Sequence, residues 1–417
     1  QHRAFLTLPG TFQRQWQQAL IVPLSAPGIR ARCASVLSGS SRGGAVQVQD
    51  GEGPSDEVRN ARSSAVQLEQ LAVHPRAPDE VILAVLCRLF TAAYFAPTSS
   101  AVAVGGCPVQ AFCKWSGFDV EAEDDDLHVP LTGTDSGAEG REVWRAKFWS
   151  VLAGLVRRTL PDMAAKLAAR GTLSSGAEAS DVEAESDAGP VVRTLGYTGC
   201  FSDGSLLVMR LHEWWDYITE HMPAPAGEAS APPKKKRRAE RNADGSGGSC
   251  RLACSVSLTA SDIKLRRRCV ELSRGLASES GIGSQLSGRQ RNAISGLLLS
   301  LSLVLLTSED ADERAALRTP IEESLAALSE VPAPPPATAT PKAQLKAQKQ
   351  RAQALAALPR IAAELFVEAS GLAKEAARAA WRELGEFTSE ETLDGLCESV
   401  QDSKDGAAEE APEGEEE

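Results

Sequence analysis

Three groups of cations are the residues whose types and spacing suggest chemistry. The first is unbroken: Lys234, Lys235, Lys236, Arg237 and Arg238, directly after Pro232-Pro233. Gly, Ser and Ala surround it, so the five charges are expected on extended, solvated backbone. A pentad of this kind suits the acidic grooves of a nuclear import receptor. The second group is Lys264, Arg266, Arg267 and Arg268, followed by Arg274. The third is Lys342, Lys346, Lys349 and Arg351, whose spacings put the three lysines along one side of a helix. Such faces can neutralise phosphates, giving nucleic-acid binding that ignores sequence and weakens with salt. The competing reading of the two helical groups is an ordinary solvated face.

Residue types that run reactions are sparse. His2, His74, His128, His212 and His221 contain no pair at the i, i+4 metalloprotease spacing. No dinucleotide fingerprint or phosphate-binding loop occurs, and no nucleophile elbow is read from the sequence. Gly281–Gly288 resembles a phosphate loop at a glance, but it lacks the lysine and a preceding strand, so a helix–helix turn is the better reading. Cys107 and Cys113 are six apart and Cys250 and Cys254 four apart, with no partner pair to complete a zinc module. Asp124-Asp125-Asp126 could in principle hold magnesium. It stands in a loop crowded with like charge, which favours a solvated acidic loop. Trp214-Trp215 could stack bases; the plainer reading puts one ring in the core and the other at its edge. The sequence predicts no enzyme, no cofactor and no metal.

Helical periodicity supplies the elements that must carry these residues. Val58–Val73 places Ala61, Ala65, Leu68, Leu71 and Ala72 on one face. Asp79 is expected to cap a helix over Glu80–Phe95, which is apolar on nearly every side and so buried all round. Further helices are read over Glu142–Leu160, Gly204–His221, Ser261–Ser278, Ser287–Leu306, Ala343–Ala357, Leu358–Leu384 and Ser389–Val400. Thr98–Asp135 reads as irregular, and no segment alternates cleanly as a strand. The fold class is therefore all-α, and paired helices with long loops suggest an irregular HEAT/armadillo-like α-solenoid. The expected divisions are a solenoid part with acidic loops over 1–222, a disordered basic linker over 223–252 and a second solenoid part over 253–330. A Pro-rich linker follows over 331–342, then a helical part over 343–400 and an acidic disordered tail over 401–417.

The chain has 417 residues and a formal charge of −12. All of that charge lies in residues 386–417, where thirteen carboxylates face one cation, Lys404. Residues 1–385 are thus neutral overall, and the acidic end is expected to stay solvated and to meet basic partners. Aromatics make up only 5% of the residues, so the core must be built mainly from Leu, Val and Ala. Nine cysteines are too dilute for a disulfide scaffold. The longest apolar run, Ala293–Leu306, is short of a membrane span and carries three serines. Gln1 stands where Met would start a complete protein, so a fragment is expected.

Four segments, in order, resemble the Myb-binding protein 1A / DNA polymerase V (DNA polymerase phi) family of nucleolar proteins. They are Leu86–Phe95, a leucine-rich helix ending in an aromatic pair, and Arg145–Leu152, similar to the family's R-x-x-F-F-S-L-L helix. The third is Arg291–Ile294 running into Leu297-Leu298-Leu299 and Val304-Leu305-Leu306. The fourth is Lys374–Trp381 with Phe387-Thr388, Leu393, Leu396 and the acidic segment beyond. Trp149 and Trp381 stand where the family pattern has Phe. The resemblance spans about residues 80–417. It implies a non-catalytic nucleolar scaffold associated with ribosomal DNA or chromatin and with transcription factors or pre-ribosomal proteins. Such a scaffold would regulate ribosomal RNA transcription and ribosome biogenesis, despite the polymerase name. Two other classes stay open: a cytoplasmic or nuclear transport or assembly solenoid, and a DNA polymerase. No membrane partner is expected.

Overall fold

The computed structural model describes residues 24–39, 56–74, 76–97, 106–118, 127–131, 137–157, 199–201, 203–221, 252–278, 281–335, 340–368, 371–388, 390 and 393–394. They are mostly helical and belong to two compact units, Gln1–Gly154 with Met209–Ser257, and Leu155–Val208 with Leu258–Glu417.

The first unit is built around one helix. α1 (Ala26–Gly39) and α2 (Asp56–Ala72) precede α3 (Asp79–Tyr94), in which every residue from Glu80 to Tyr94 is buried. A helix that is apolar all round has its stable place at the centre. Its N-cap is Pro78 and no side chain caps it, so Asp79 does not have the capping role expected of it. Asp79 and Glu80 instead sit in the first turn, where the helix dipole favours negative charge. The chain then pairs β1 (Phe95–Pro97) antiparallel with β4 (Leu252–Cys254), opposing Phe95 to Cys254. β2 (Gly106–Pro108) pairs likewise with β3 (His128–Pro130). Between β2 and β3 lies α4 (Val109–Ser116), closed by Gly117 at φ 65°, which only glycine adopts at no steric cost. The stretch read as irregular thus holds a helix and two strands of three residues each.

α5 (Gly137–Arg157) and α6 (Leu207–Asp216), which runs into a π turn at Tyr217–His221, complete the set of helices around α3. Phe90 of α3 has Tyr94, Phe95, Phe148 and Trp215 within 6.1 Å, ring centre to ring centre. Polar tips in this aromatic core find partners. Trp214 Nε1 donates to Thr91 Oγ1 at 2.9 Å, and Trp149 Nε1 donates to the Tyr94 hydroxyl at 2.9 Å. Glu69 of α2 accepts from Lys147 Nζ at 2.5 Å and from Ser150 Oγ at 2.7 Å, tying α2 to α5.

The second unit gathers around another buried helix. α7 (Ala260–Ala277) starts at a capping box in which Thr259 and Asp262 satisfy each other's backbone N–H. A 3₁₀ turn at Gly281–Gln285 leads to α8 (Gly288–Thr307), capped the same way by Ser287 and Gln290. This is the helix–helix turn expected of Gly281–Gly288. α8 is long and apolar enough to cross a membrane, but 83% of its most apolar window is buried inside the fold. It packs against α7, against α9 (Ala311–Ser329) and against α12 (Gly371–Leu384). α12 brings small buried side chains, Ala373, Ala376, Ala377 and Ala380, to the same core. α10 (Pro341–Leu355) and α11 (Ala357–Glu368) lie between, and a 3₁₀ turn at Gly385–Phe387 follows α12.

Helix α9 is absent from the sequence reading, because Pro320 stands at its middle. Proline cannot donate to the Ala316 carbonyl and normally breaks a helix. Here Leu317, Ile321, Leu325 and Leu328 are buried along one stripe, and their packing outweighs the lost bond. Leu358–Leu384, read as one helix, is two: Gly371 at φ 59° opens the second.

Candidate functional site

The basic residues of α7 divide cleanly by face. Lys264, Arg267, Arg268 and Arg274 are exposed, while Asp262, Leu265, Arg266, Cys269, Val270, Ser273 and Leu276 are buried. At 100° per residue Arg266 lies about 200° around from Lys264, on the inner side of the helix. Arg266 is only 2% exposed and therefore leaves the phosphate-binding set in which the sequence placed it. Glu271 is exposed among the remaining cations, one turn from Arg267, Arg268 and Arg274, and reduces the net charge of that face.

α10 is different. It has Thr340 as N-cap, accepting from the Ala343 N–H, and Pro341 at its first position. Ala, Lys and Gln then fill it, all strong helix formers. Residues 341–346 are exposed on every side, and Leu355 is its one buried residue. Lys342, Lys346 and Lys349 fall within about 60° of one another around the axis and are all exposed. No acid occurs anywhere in the helix. Arg351 faces the opposite way, its guanidinium 5.7 Å from the Phe387 ring. α7 and α10 share α9 as a packing neighbour.

The other residues with possible chemistry go inward. Trp214 is fully buried and Trp215 is 7% exposed, which is the core reading; neither can serve as a base-stacking platform. Phe112, Trp214 and Tyr217 pack edge to face and stacked, with centroids 5.1 to 5.8 Å apart. Cys107 in β2 and Cys113 in α4 lie near Cys87 of α3, which sequence reading did not connect to them. Burial pushes the Cys87 thiol well up, Cys107 to about 11 and Cys113 to about 12, so none is a thiolate at neutral pH. Among the described residues no group of three His, Cys, Asp or Glu could hold a metal ion. Gly39-Ser40-Ser41-Arg42-Gly43 has the letters of a nucleophile elbow, but Gly39 closes helix α1, whereas the elbow needs a strand before it.

Buried charge is the feature that sequence reasoning missed. Arg88, in the middle of α3, is fully buried; its Nη1 donates to the Pro130 carbonyl at 2.8 Å and its guanidinium lies 5.3 Å from the Trp144 ring. Burial lowers its pKa to about 10, which leaves it charged at neutral pH. Arg210 bonds Glu213 at 2.8 Å and the Ser116 carbonyl at 3.0 Å, over the Phe118 ring at 4.6 Å. Arg88 is the one cation in an otherwise apolar stretch of helix, and that isolation was the available signal. The pentad Lys234–Arg238, the run Asp124–Asp126, Cys250 and the tail 401–417 lie outside the described residues.

Comparison with family models, with curated proteins and with solved structures finds no match to this chain.

Proposed function

We propose that this chain is a non-catalytic helical scaffold of the nucleus and nucleolus. It holds ribosomal DNA or chromatin together with transcription factors or pre-ribosomal proteins, and so regulates ribosomal RNA transcription. The observation that carries the reading is α10, an acid-free helix with Lys342, Lys346 and Lys349 on one exposed side. Binding to phosphates needs cations that are not already neutralised, and this helix offers them. Lys264, Arg267 and Arg268 add a second, weaker face, and Lys234–Arg238 supplies the docking segment for an import receptor. The solenoid form of the scaffold is part of the proposal. One contact weighs against strict neighbour-to-neighbour stacking: α8 packs on α12, with three helices between them in the chain.

The test is localisation. A tagged chain in which Lys234, Lys235, Lys236, Arg237 and Arg238 are all alanine is expected to leave the nucleus, and unchanged nuclear accumulation would defeat the import role. A cytoplasmic transport or assembly scaffold shares the helical fold and predicts no effect of that change. A DNA polymerase is the weakest reading, since it rests on Asp124–Asp126 alone.

A further inference from the structure

We propose that the acidic residues 395–417 of this same chain dock on α10 and cover its lysines. Among the described residues, Lys342, Lys346 and Lys349 form no ion pair, and all three are exposed. Lys342 stands in the first turn, where the helix dipole adds positive potential to that of the side chains. A strip of uncompensated positive charge over the eight residues Lys342 to Lys349 calls for an anionic partner. Residues 395–417 hold nine carboxylates against Lys404 alone.

Position favours this occupant over any other. The acidic segment begins eight residues after Phe387, and the Phe387 ring is the one against which Arg351 of α10 rests at 5.7 Å. Phe387 lies against the face of α10 opposite the lysines, but eight residues can span about 26 Å, more than the 10–12 Å diameter of a helix, so the lysine row is within reach of the acidic segment. Twenty-three residues can extend about 80 Å, whereas α10 is about 22 Å long, so the segment can lie along the whole lysine row. Tethering makes the encounter intramolecular, with an effective concentration on the order of millimolar. α7 is the poorer dock because Glu271 interrupts its cations. The consequence is regulation: any polyanion that uses α10 must first displace the chain's own acidic end, which sets a threshold for non-specific binding.

The test uses the full chain with no nucleic acid present, so failure of duplex binding leaves its readout untouched. A zero-length carbodiimide reagent joins lysines to carboxylates in contact, and the joined peptides are mapped by mass spectrometry. At low salt we expect links from Lys342, Lys346 or Lys349 to Glu398–Glu417. They should vanish in about 0.5 M salt, where the Debye length is about 4 Å. Links from the acidic segment to other lysines only, or none, would overturn the proposal. A second measurement uses the variant K342Q/K346Q/K349Q, in which cleavage after Glu409 and Glu410 by a glutamate-specific protease should be several-fold faster than in the parent. Equal cleavage rates would also overturn it.

Discussion

Arg318 Nε donates to Asp262 Oδ1 at 2.7 Å, linking α9 to the first turn of α7. The other oxygen of the same carboxylate accepts from the Thr259 N–H at 3.0 Å and from the Thr259 hydroxyl at 2.7 Å. One buried carboxylate therefore serves as both helix cap and interhelical anchor. Burial raises its pKa, but the bonds from Arg318 and Thr259 outweigh that and hold it below the usual carboxylate value.

Replacing Asp262 with Asn keeps the shape and removes the charge. We expect a loss of about 1–3 kcal/mol at pH 7, the range for a hydrogen-bonded charged group. Because the folded value is depressed, this stability is present above the unfolded pKa near 3.8 and disappears as pH falls through the folded value. Urea unfolding should thus separate parent and D262N at pH 7, and the gap should narrow as pH falls below 3.8. A constant gap across that range would refute the assignment.

Trp214 fills the space between α3 and α6 and gives its N–H to Thr91. Trp214→Ala should cost about 3–5 kcal/mol through the cavity it leaves. Trp214→Phe removes the bond with less loss of volume and should cost less. If both variants unfold at the parent's urea midpoint, Trp214 is not a core residue.

Alkylation tests the thiols. Cys33, Cys87, Cys107, Cys113, Cys200, Cys254 and Cys269 are free, and burial raises the pKa of each. Iodoacetamide at pH 8 should label these seven slowly in the native chain and quickly in urea. Fast native labelling of Cys87, Cys107 or Cys113 would show that the site around them is open to solvent.

Salt dependence separates the cations by face. For a short DNA duplex, K342Q/K346Q/K349Q should flatten the plot of log affinity against log salt by about three, near one for each phosphate that a lysine no longer neutralises. Arg266→Gln should leave the slope alone, because that side chain points into the core. An equal effect of the two changes would mean that exposure does not decide the binding.

Helix α3 was legible because a stretch without a polar side has only one stable place. The two faces of α7 were legible too: 100° per residue puts Arg266 opposite Lys264, although a run of adjacent cations invites them to be grouped. Both arguments need only residues within a few turns. α9 was hidden because Pro320 forbids a helix locally and Leu317, Ile321, Leu325 and Leu328 restore it only by packing on other helices. The pairing of β1 with β4 joins Phe95 to Cys254, and strands of three residues carry too little pattern to announce themselves. The meeting of Cys87 with Cys107 and Cys113, and the burial of Arg88 under Pro130 and Trp144, likewise depend on chain returning from far away. The helices and their apolar stripes are written in the sequence, because helix hydrogen bonds and side-chain spacing are local. Which charges stay in water, and which thiols and rings meet, was decided by tertiary packing, because burial is a property of neighbours that no short window contains.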